Sequence, residues 1–537
     1  MVLKGSEIVL ECLLEQGVHT VFGYPGSAIL DIYEALHKYT GRIRHILTTH
    51  EQHAAHAADG FARVSGSVGV AFATSGPGAT NLLTGLSSAY IDSTPVVAIT
   101  CNVKNPLIGR DSFQEVDIFG VSMPITKHNF LVKNVASLAD TIRHAFYIAA
   151  SDRPGPVLID IPSDVTAATC NYEKSMPIAP RKHTYATDTE LSRAAELIAK
   201  SVRPLILAGG GVSGSGAEAA LAAFSRSIDA PVVETLMGVG CSESTGRCAG
   251  LAGIYGEESV NALLRECDLL IGIGTRFSDR TIPDPDRLML NKKIIHIDID
   301  PAEINKNVLS QVSLIGDANA ILSRLLPLVS QKPVNSLWAH VPSHKAPPAL
   351  KQGDRLTPRF LLETLSRLAG KDQIYTTEVG QHQLWAAKYL GITSQDKFIT
   401  SGGLGAMGFG LGAAIGASAA AGRRVVNIAG DGSFYMNMAE LSTAVYYRLS
   451  VMEILFNNGK LGLVRQIQNN TFGRESEVAI DRGTDFTALA VAMGVQSFTI
   501  HTCDQAESIL QEALSSTGPV LVNCIIPPAC TVEPGLK

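Results

Sequence analysis

An aspartate and an asparagine in the last third of the chain each follow an apolar run that is typical of a buried strand. Asp431 lies in RRVVNIAGDGSF (423–434), and Asn458 ends VMEILFNN (451–458), with room between them for one helix. Ligands bind at the carboxyl ends of strands in open parallel sheets. Mg²⁺ prefers a few hard oxygens together with phosphate oxygens, so Asp431, Asn458 and the backbone near Lys460 predict a site for Mg²⁺ and a diphosphate. A Gly-Asp-Gly turn without the spaced asparagine would be ordinary.

A glutamate in the first third stands where a strand gives way to a helix. The segment TTHEQHAAHAADGFAR (48–63) has a strand-like lead and then a helical run, with Glu51 at the junction. A lone glutamate there is typical of a carboxylate that the helix dipole stabilises. A carboxyl group held against apolar surroundings instead has a raised proton affinity, which suits it to share a proton with a bound ring. The segment alone leaves both interpretations open.

The rest of the chain must supply the elements that position these groups. Its 537 residues predict three or four domains, and strand-like runs alternate with helical stretches throughout, which indicates parallel α/β layers. Three blocks can be separated, 1–170, 188–330 and 356–537. Polar, Pro-containing linkers at 171–188 and 331–355 lie between them. Whether the first and third blocks share one fold stays open.

Composition excludes several classes of protein. The net charge is −6 and no cluster of Lys and Arg stands out, so no nucleic-acid partner is expected. Nine cysteines without a Cys-x-x-Cys pair argue against a zinc site or a disulfide framework and indicate a reducing, cytoplasmic compartment. Glutamates interrupt the first helix, unlike a secretory signal. The uncharged stretch 402–422 is mostly Gly and Ala, which favours a buried, closely packed helix over a membrane span.

Long motifs, in order along the chain, resemble the catalytic subunit of the acetolactate synthase family, whose enzymes use thiamine diphosphate. They are GYPGSAILDIY (23–33), GPGATN (76–81), GRDSFQEVDIFGVSMPITKHNFLV (109–132), RPGPVLIDIP (153–162), VGQHQLWAAKYL (379–390) and TSGGLGAMGFGLGAAIGA (400–417). The similarity runs from about Lys4 to Val522. It implies an α/β fold of three doubly wound parallel-sheet domains: a pyrimidine-binding domain, a central FAD-type domain and a domain that binds diphosphate and Mg²⁺.

The resemblance also implies an activity, a transferase step of branched-chain amino acid biosynthesis. Thiamine diphosphate with Mg²⁺ decarboxylates pyruvate in this family, and the two-carbon unit is joined to a second 2-oxo acid to give 2-acetolactate. FAD is expected to be structural, because the carboligation transfers no hydride. Glu51 matches the glutamate that hydrogen-bonds the pyrimidine N1′ of the cofactor, and Met407 matches the bulky residue that bends it.

The same resemblance implies an assembly and further contacts. In the family the glutamate and the diphosphate site of one active centre come from different subunits, so at least a homodimer is expected, with a tetramer and a small regulatory subunit as further expectations. Residues expected to contact thiamine diphosphate are Pro25, Gly26, Gly380, Gln381, His382, Gly405, Met407, Gly430, Gly432, Ser433, Leu461 and Gly462. Residues expected to contact FAD are Arg153, Gly209, Gly210, Gly211, Leu236, Met237, Gly274, Arg276, Asp298 and Asp317.

The flavin prediction begins with glycines after a strand. RPLILAGGGVSGSG (203–216) is a strand-like run in which Gly209, Gly211 and Gly214 satisfy G-x-G-x-x-G, a pattern too common to identify a site alone. Further segments, among them HIDIDPAEINKN (296–307), resemble FAD-contacting segments of biosynthetic acetolactate synthases. The alternative is a structural domain that has lost its ligand.

Four residues match family positions beside the reactive centre. Gln114 is expected to hydrogen-bond an oxygen of an intermediate, Lys127 to attract a carboxylate and Phe113 to line the channel. Ser27 falls beside the reactive carbon, where the family usually has glycine. A surface lysine and a core phenylalanine are the corresponding structural interpretations of Lys127 and Phe113.

Five further positions depart from the family pattern. Ile467 stands where biosynthetic enzymes usually carry a tryptophan that favours 2-oxobutyrate as second substrate. Ser163 replaces a common lysine, Lys104 and Pro106 change the channel loop, and Tyr255 replaces a histidine in the flavin region. Pyruvate is therefore predicted as both donor and acceptor, and 2-oxobutyrate loses support.

Two other functions stay open. One is a different thiamine-dependent lyase, oxidase or acyltransferase. Simple pyruvate decarboxylases usually carry adjacent histidines, which this chain lacks, and glyoxylate carboligase lacks the glutamate that Glu51 supplies. The other is a cofactor-binding homologue without activity, which intact Glu51, Asp431 and Asn458 argue against.

Overall fold

Three six-stranded parallel sheets follow one another along the chain in the computed structural model, which describes residues 1–331 and 354–533. This confirms the predicted α/β fold of three parallel-sheet domains. The linker prediction at 331–355 falls almost entirely outside the described residues. Alternate residues of the four inner strands in the first sheet pack into different hydrophobic clusters, so both faces of the sheet are buried there. Burial on both faces explains why the strands read as continuous apolar runs in the sequence.

The N-terminal sheet has the order β3-β2-β4-β5-β7-β6, with all neighbours parallel, and β1 pairs with β8 in a small antiparallel ribbon. Its elements are β1 (Val2–Lys4), α1 (Gly5–Glu15), β2 (Thr20–Gly23), α2 (Leu30–Lys38), β3 (Arg44–Leu47), α3 (Glu51–Ser65), β4 (Gly69–Ala73), α4 (Pro77–Asn81), α5 (Leu83–Ile91), β5 (Val96–Asn102), α6 (Ile118–Ser122), β6 (His128–Leu131), α7 (Leu138–Ala150), β7 (Val157–Pro162), α8 (Ser163–Ala167) and β8 (Thr169–Asn171).

The central region contains the second sheet and the helices around it. Its elements are α9 (Asp188–Lys200), β9 (Pro204–Ala208), α10 (Gly211–Gly214), α11 (Glu218–Ser227), β10 (Val232–Glu234), β11 (Cys248–Leu251), α12 (Glu258–Glu266), β12 (Leu269–Ile273), α13 (Pro285–Met289), β13 (Lys293–Asp298), β14 (Val312–Ile315) and α14 (Ala318–Leu325). Its strands lie in the order β11-β10-β9-β12-β13-β14, all parallel. Counted within the sheet this is 3-2-1-4-5-6, the order of folds that bind dinucleotides where the strand order reverses, here between β9 and β12.

The C-terminal region contains the third sheet and the helices around it. The elements of this region are α15 (Pro358–Ala369), β15 (Ile374–Thr377), α16 (Gln381–Tyr389), β16 (Phe398–Ile399), α17 (Gly410–Ala421), β17 (Val425–Gly430), α18 (Asp431–Phe434), α19 (Glu440–Tyr446), β18 (Val451–Asn457), α20 (Gly462–Phe472), α21 (Phe486–Ala492), β19 (Gln496–Ile500), α22 (Cys503–Ser515) and β20 (Val520–Ile525). Its order, β16-β15-β17-β18-β20-β19, is 2-1-3-4-6-5 within the sheet. The N-terminal sheet has the same order, so the first and third regions do share a topology.

The connection between β17 and β18 differs from the prediction. The sequence predicted one helix there, whereas the chain forms the two short helices α18 and α19 with turns between them. In the turn, the side-chain amide of Asn437 donates to the buried carboxylate of Glu378. This bond ties the turn to the end of β15, a partner that lies 59 residues away in sequence.

The N-terminal and C-terminal regions meet through α3 and α17, the helices that follow the second strand of each sheet. Glycines bring their backbones together: a Cβ on Gly416 would lie 1.8 Å from the carbonyl oxygen of Ala57, and one on Gly60 would lie 2.1 Å from that of Ala413. This confirms the predicted buried, closely packed helix in 402–422. Among the helices of residues 1–331 and 354–533, none combines the length and apolar character needed to cross a membrane.

Candidate cofactor site

The ends of β17 and β18 bring the predicted metal ligands together. The Asp431 Oδ2 atom accepts the backbone N–H groups of Asn458 at 3.1 Å and Gly459 at 2.6 Å, and Oδ1 accepts that of Gly432 at 2.9 Å. The Asn458 Oδ1 atom accepts the backbone N–H of Lys460 at 3.0 Å. The Asp431 carboxylate is therefore in contact with the turn that contains Asn458 and Lys460, which the pattern predicted to lie beside it.

The chemistry of these donors fits a hard cation that brings phosphate oxygens with it. Asp431 is 3% exposed, and burial raises the pKa of its carboxyl to about 6. The ammonium of Lys460 pairs with Glu475 at 2.9 Å, which leaves only its backbone for the cation. No cluster of three or more His, Cys, Asp or Glu side chains that could hold a metal occurs in the described parts of the chain. A cation bound by Asp431 would thus need further oxygens, and a diphosphate supplies them.

Glycines and two side chains, each with one polar atom that has no hydrogen-bond partner, form a cradle beside Asp431. A Cβ on Gly430 would lie 2.8 Å from the imidazole Nδ1 of His382, and one on Gly462 would lie 2.1 Å from the Gln381 Oε1. The His382 Nε2 and the Gln381 Oε1 are buried and have no hydrogen-bond partner. Burial lowers the pKa of His382 to about 3, so its ring is neutral. Buried polar groups normally have a partner, so these atoms fit a polar ligand such as a diphosphate.

The loop before α17 lies over this cradle. A Cβ on Gly432 would lie 3.6 Å from the terminal methyl of Met407 and 2.6 Å from a methyl of Leu461, so these side chains are neighbours of the Asp431 turn. Gly405 has a φ of +70°, which a side chain would strain. The Ser433 hydroxyl donates to a backbone carbonyl of the segment after β15 at 3.2 Å.

Glu51 lies in a second cluster, at the carboxyl edge of the N-terminal sheet. It is the first residue of α3, as predicted, and is 8% exposed. Its Oε2 accepts the side-chain amide of Asn81 at 2.9 Å, and its Oε1 would lie 3.0 Å from a Cβ on Gly78. Gly26 and Thr74 lie at the reversal of strand order between β2 and β4, where a Cβ on Gly26 would be 2.4 Å from the Thr74 methyl.

Three of the predicted substrate residues lie near this second cluster. The Ser27 hydroxyl donates to the Gln114 Oε1 at 3.4 Å, and a Cβ on Gly76 would lie 2.8 Å from the Gln114 carbonyl oxygen. Gln114 has a φ of +58°, a strained conformation that clusters at functional sites. Phe113 is 85% exposed, which excludes the core-packing interpretation, and Pro25 is also exposed.

Lys127 has a different environment from the one expected of a substrate residue. Its ammonium donates to the carbonyl oxygens of Ile148, at 2.5 Å, and Ser151 at the end of α7. Burial lowers the pKa of this lysine to about 8. These contacts satisfy carbonyls at a helix end, so they support a structural role. Attraction of a substrate carboxylate by Lys127 stays a prediction that the single chain does not support.

The glycines of the central region meet at the reversal between β9 and β12. A Cβ on Gly209 would lie 2.2 Å from the carbonyl oxygen of Gly274, and one on Gly211 would lie 2.6 Å from the Gly274 Cα. Gly274 has a φ of +55°. A Cβ on Gly214, the third glycine of the pattern, would meet open space. Two of the three glycines are therefore required by close backbone packing.

The neighbouring residues of the flavin prediction connect the central and C-terminal regions. A Cβ on Gly402 would lie 2.2 Å from the sulfur of Met237, which also lies against Gly210. Leu236 packs against a hydrophobic cluster of the C-terminal region. The Arg276 guanidinium lies near the loop that precedes α17, 3.1 Å from the position of a Cβ on Gly403.

The charged residues of the flavin prediction are partly engaged within the protein. The Arg153 guanidinium pairs with Asp300 and Glu303, each at 2.9 Å, which favours a role in joining the N-terminal and central regions. Asp298 accepts the backbone N–H of Asp300 at 2.9 Å, and burial raises the pKa of Asp298 to about 6. Asp317 caps α14. Both aspartates lie at the carboxyl edge of the central sheet. The ion pairs of Arg153 occupy part of its guanidinium, which leaves fewer N–H groups for a flavin.

Sequence reasoning missed three residues that hold the site together. Asn81 donates its side-chain amide to Glu51, and it is the last residue of the segment GPGATN (76–81). Glu378 accepts the backbone N–H groups of Gly408 at 2.7 Å and Leu411 at 3.1 Å, and thereby fixes the Met407 loop. Glu440 binds residues on both sides of Glu51. Neither glutamate carries a signal in the sequence, because each acts on partners that are distant along the chain.

Comparisons with known proteins show the family of this chain. Family models match along the chain, the thiamine pyrophosphate enzyme N-terminal TPP binding domain at residues 3–121, the central domain at 191–325 and the C-terminal TPP binding domain at 378–524. The chain therefore belongs to the thiamine pyrophosphate enzymes, a class that its three sheets and its two polar clusters also fit.

Curated relatives narrow the class. A probable acetolactate synthase large subunit of Methanocaldococcus jannaschii is 44% identical over 98% of this chain and 92% of its own length. The acetolactate synthase isozyme 2 and isozyme 3 large subunits of Escherichia coli are 43% and 40% identical over 98% and 95% of this chain, and over 96% and 92% of their own lengths. Within its class, the chain is a member of the acetolactate synthase large-subunit family.

Proposed function

We propose that this chain decarboxylates pyruvate and joins the two-carbon unit to a second 2-oxo acid, giving 2-acetolactate. The observation that carries the proposal is the Asp431–Asn458 turn beside a buried, unsatisfied His382 nitrogen, at the carboxyl edge of a sheet in a member of this family. This arrangement fits Mg²⁺ and a diphosphate. Bound thiamine diphosphate supplies a nucleophilic carbon and an electron sink for decarboxylation.

The residues of the chain divide the work of binding and proton transfer. Asp431 and Asn458 would hold Mg²⁺, and His382 would donate its Nε2–H to the diphosphate. Glu51 would share its proton with the pyrimidine N1′, with its carboxylate oriented by Asn81. Met407 lies beside the Asp431 turn, where it would support the bent form of the cofactor. Each role follows from an atom that the fold leaves available at one of the two clusters.

Substrate specificity is proposed from the N-terminal cluster. Gln114 would hydrogen-bond an oxygen of the reacting 2-oxo acid, with Ser27 at its side. Phe113 and the half-exposed Ile467 would line the channel and exclude water. Because Ile467 replaces a tryptophan that favours 2-oxobutyrate, pyruvate is the proposed acceptor.

A homodimer is proposed because Glu51 and Asp431 lie in two separate clusters of one chain, and the proposed reaction needs both residues at one cofactor. Glu51 and Asp431 have separate sets of hydrogen-bond partners, and Phe113 stands out from the surface. A twofold dimer brings Glu51 of one chain to Asp431 of the other. Co-expression of Glu51→Gln and Asp431→Ala chains tests this, since a mixed dimer then has one intact site. Random mixing should restore about a quarter of wild-type activity, whereas sites formed within one chain would restore none.

FAD is proposed as a structural ligand of the central sheet. The strand order 3-2-1-4-5-6 and the glycines at its reversal support this proposal. Purified protein should carry visible flavin absorbance that pyruvate does not bleach. Bleaching by pyruvate would instead indicate a redox role and an oxidase.

Other parts of the proposal concern the protein as a whole. The limits 1–170, 188–330 and 356–537 are proposed as its three domains. All nine cysteines are free thiols, which supports a reducing, cytoplasmic location. The relatives are named large subunits, so a smaller regulatory subunit is proposed as a partner.

Product analysis tests the reaction directly. The protein would be incubated with pyruvate, thiamine diphosphate, Mg²⁺ and FAD, with and without 2-oxobutyrate, and its products identified by NMR. Acetolactate as the product supports the proposal. An excess of the product that contains 2-oxobutyrate would contradict the prediction, made from Ile467, that pyruvate is the acceptor. Acetaldehyde alone, or acetate with peroxide, would identify a decarboxylase or an oxidase instead.

A further inference from the structure

Glu440 is a buried carboxylate of the C-terminal region that binds the N-terminal region at the start of α3. Its Oε1 accepts the backbone N–H of Thr49 at 2.8 Å, the Thr49 hydroxyl at 2.6 Å and the His53 Nδ1 at 3.0 Å. Its Oε2 accepts the Thr443 hydroxyl at 2.6 Å. Glu440 is 0% exposed, so all these bonds are shielded from water.

The electrostatics of this contact make it strong. Burial alone would raise the pKa of Glu440, but hydrogen bonds from His53, Thr443 and Thr49 outweigh burial and hold the pKa below its ordinary value. The carboxylate is therefore ionised, and it can only accept hydrogen bonds. His53 must then carry its proton on Nδ1. Charge-assisted bonds of this kind are shorter and about twice as strong as neutral ones.

The two residues that Glu440 binds bracket Glu51. Thr49 lies two residues before it, in the segment that enters α3, and His53 lies two residues after it, in the first turn. The backbone N–H groups of a first turn are satisfied by groups at its start, and here the side chain of His50 accepts one of them at 3.1 Å. By binding both sides of the turn at one oxygen, Glu440 fixes the backbone from which the Glu51 side chain departs.

We propose that Glu440 is a positioning residue for Glu51, and this inference rests on the proposed role of Glu51 in proton transfer. The close packing of α3 on α17 fixes the axis of the helix, but it acts on Ala57 and Gly60, beyond the first turn. Asn81 supplies the only direct hydrogen bond to the Glu51 carboxylate that the described residues show. Glu440 adds a further constraint on the backbone that enters the turn, beside the side-chain cap of the helix. A misplacement of about 1 Å in a catalytic group costs about a hundredfold in rate.

The test measures proton transfer separately from turnover. Exchange of the C2 proton of bound thiamine diphosphate for deuterium would be followed by NMR in the holoenzyme. Glu440→Gln should slow this exchange at least about tenfold, and kcat with it, because the first turn of α3 shifts. The dissociation constant of the cofactor should change by less than about threefold, well under 1.4 kcal/mol, since the diphosphate cradle is untouched.

Control variants separate positioning from folding. Glu15→Gln removes a comparable buried carboxylate, one bound by Arg143, Tyr172 and Ser175, and should leave the exchange rate of the bound cofactor unchanged. His53→Asn keeps a donor near the position of Nδ1 and should retain most of the rate, whereas His53→Leu should lose it. The histidine pair keeps the proposal testable if Glu440→Gln fails to fold.

The outcomes distinguish this inference from the proposed function. If Glu51→Gln abolishes exchange but Glu440→Gln and His53→Leu exchange at the wild-type rate, the positioning role is wrong and the function stands. If Glu51→Gln itself exchanges normally, the proposed mechanism fails. If Glu15→Gln slows exchange as much as Glu440→Gln does, the effect is one of general stability and the inference is overturned.

Discussion

The N-terminal and C-terminal sheets have the same strand order but carry different chemistry at the same edge. In each sheet the order reverses between its first and third strands, β2 and β4 or β15 and β17. At the C-terminal reversal lie Asp431, His382 and glycines, which suit a cation and phosphates. At the N-terminal edge lies Glu51 with an amide partner, which suits a shared proton. The topology creates the crevice, and a few residues at the strand ends decide what binds in it.

The two regions also differ at the start of the helix that follows the second strand of each sheet. The helices α3 and α17 hold equivalent places in the two sheets, yet α3 begins with Glu51 whereas α17 follows the glycine-rich Met407 loop. One helix presents a carboxyl group at its start, and the other leaves space for a ligand. The two helices also pack against each other through the glycine contacts described above.

The largest expected effect is at Glu51. Glu51→Gln should lower kcat about 10²–10⁴-fold, the usual contribution of a proton-transferring group. The dissociation constant of thiamine diphosphate should stay close to that of the wild type. Steady-state rates and titration calorimetry would measure the two quantities, with exposed Glu34→Gln as control. A lost affinity with an unchanged kcat would mean that the N-terminal edge binds the cofactor and does not act on it.

The matching change at the C-terminal edge should affect binding. Asp431→Asn removes the charge that would hold Mg²⁺, so the dissociation constant of thiamine diphosphate with Mg²⁺ should rise at least about 10–100-fold. Asp372→Asn, at a highly exposed carboxylate, should leave it unchanged. If Asp431→Asn changed only kcat, the proposed division of chemistry between the two edges would be wrong.

The contact between the two regions predicts an effect on stability. Gly416→Ala places a methyl 1.8 Å from the Ala57 carbonyl oxygen, which cannot move without α3. Overpacking of this kind should lower the free energy of unfolding by about 1–3 kcal/mol, and urea denaturation would measure it. Ala420→Ser, at a half-buried place on the same helix, is the control. Equal stability of both variants would show that the helices separate at little cost.

The smallest expected effect is a difference in pH dependence. Burial raises the pKa of Glu378 to about 7 from an ordinary value of 4.5. Between these values the folded chain holds a proton that the unfolded chain has released, so the stability this group contributes is lost as the pH rises through about 7. Glu378→Gln should therefore lessen the fall in unfolding free energy between about pH 5 and pH 7 by about 1–3 kcal/mol.

The N-terminal sheet supplies a matched variant for this measurement. Its buried carboxyl is Asp160, whose pKa burial raises to about 6. Asp160→Asn should also lessen the fall in unfolding free energy, here between about pH 4 and pH 6, because the folded chain holds a proton that the unfolded chain has released. If Asp160→Asn left this fall unchanged, the raised pKa of Asp160 would be contradicted.

Local features of the site were predictable because they depend on neighbours in sequence. The start of α3 at Glu51 and the strand ends before Asp431 and Asn458 follow from apolar runs that stop at polar residues. The glycine- and alanine-rich composition of 402–422 predicted its buried helix. The strand ends that carry Asp431 and Asn458 were therefore predictable without a structure, and their role as metal ligands stays a prediction.

Contacts between distant residues were not predictable. The turn between α18 and α19 depends on Glu378, and Arg153 is drawn to carboxylates about 150 residues further along the chain. Lys127 is held by the end of a helix. In each case a polar side chain binds a partner that only folding brings near it. The position of the side chain in the sequence does not reveal that partner.

The sequence by itself determined the class of chemistry, because the residue types that bind a cation, a diphosphate and a proton stand at strand and helix ends that apolar patterns define. Only the tertiary structure decided that the first and third regions share a topology, that two glycines rather than three are needed beside Gly274, and that Glu440 holds the turn of Glu51. These facts depend on which backbones approach within a few ångströms, and burial then selects the hydrogen bonds that remain.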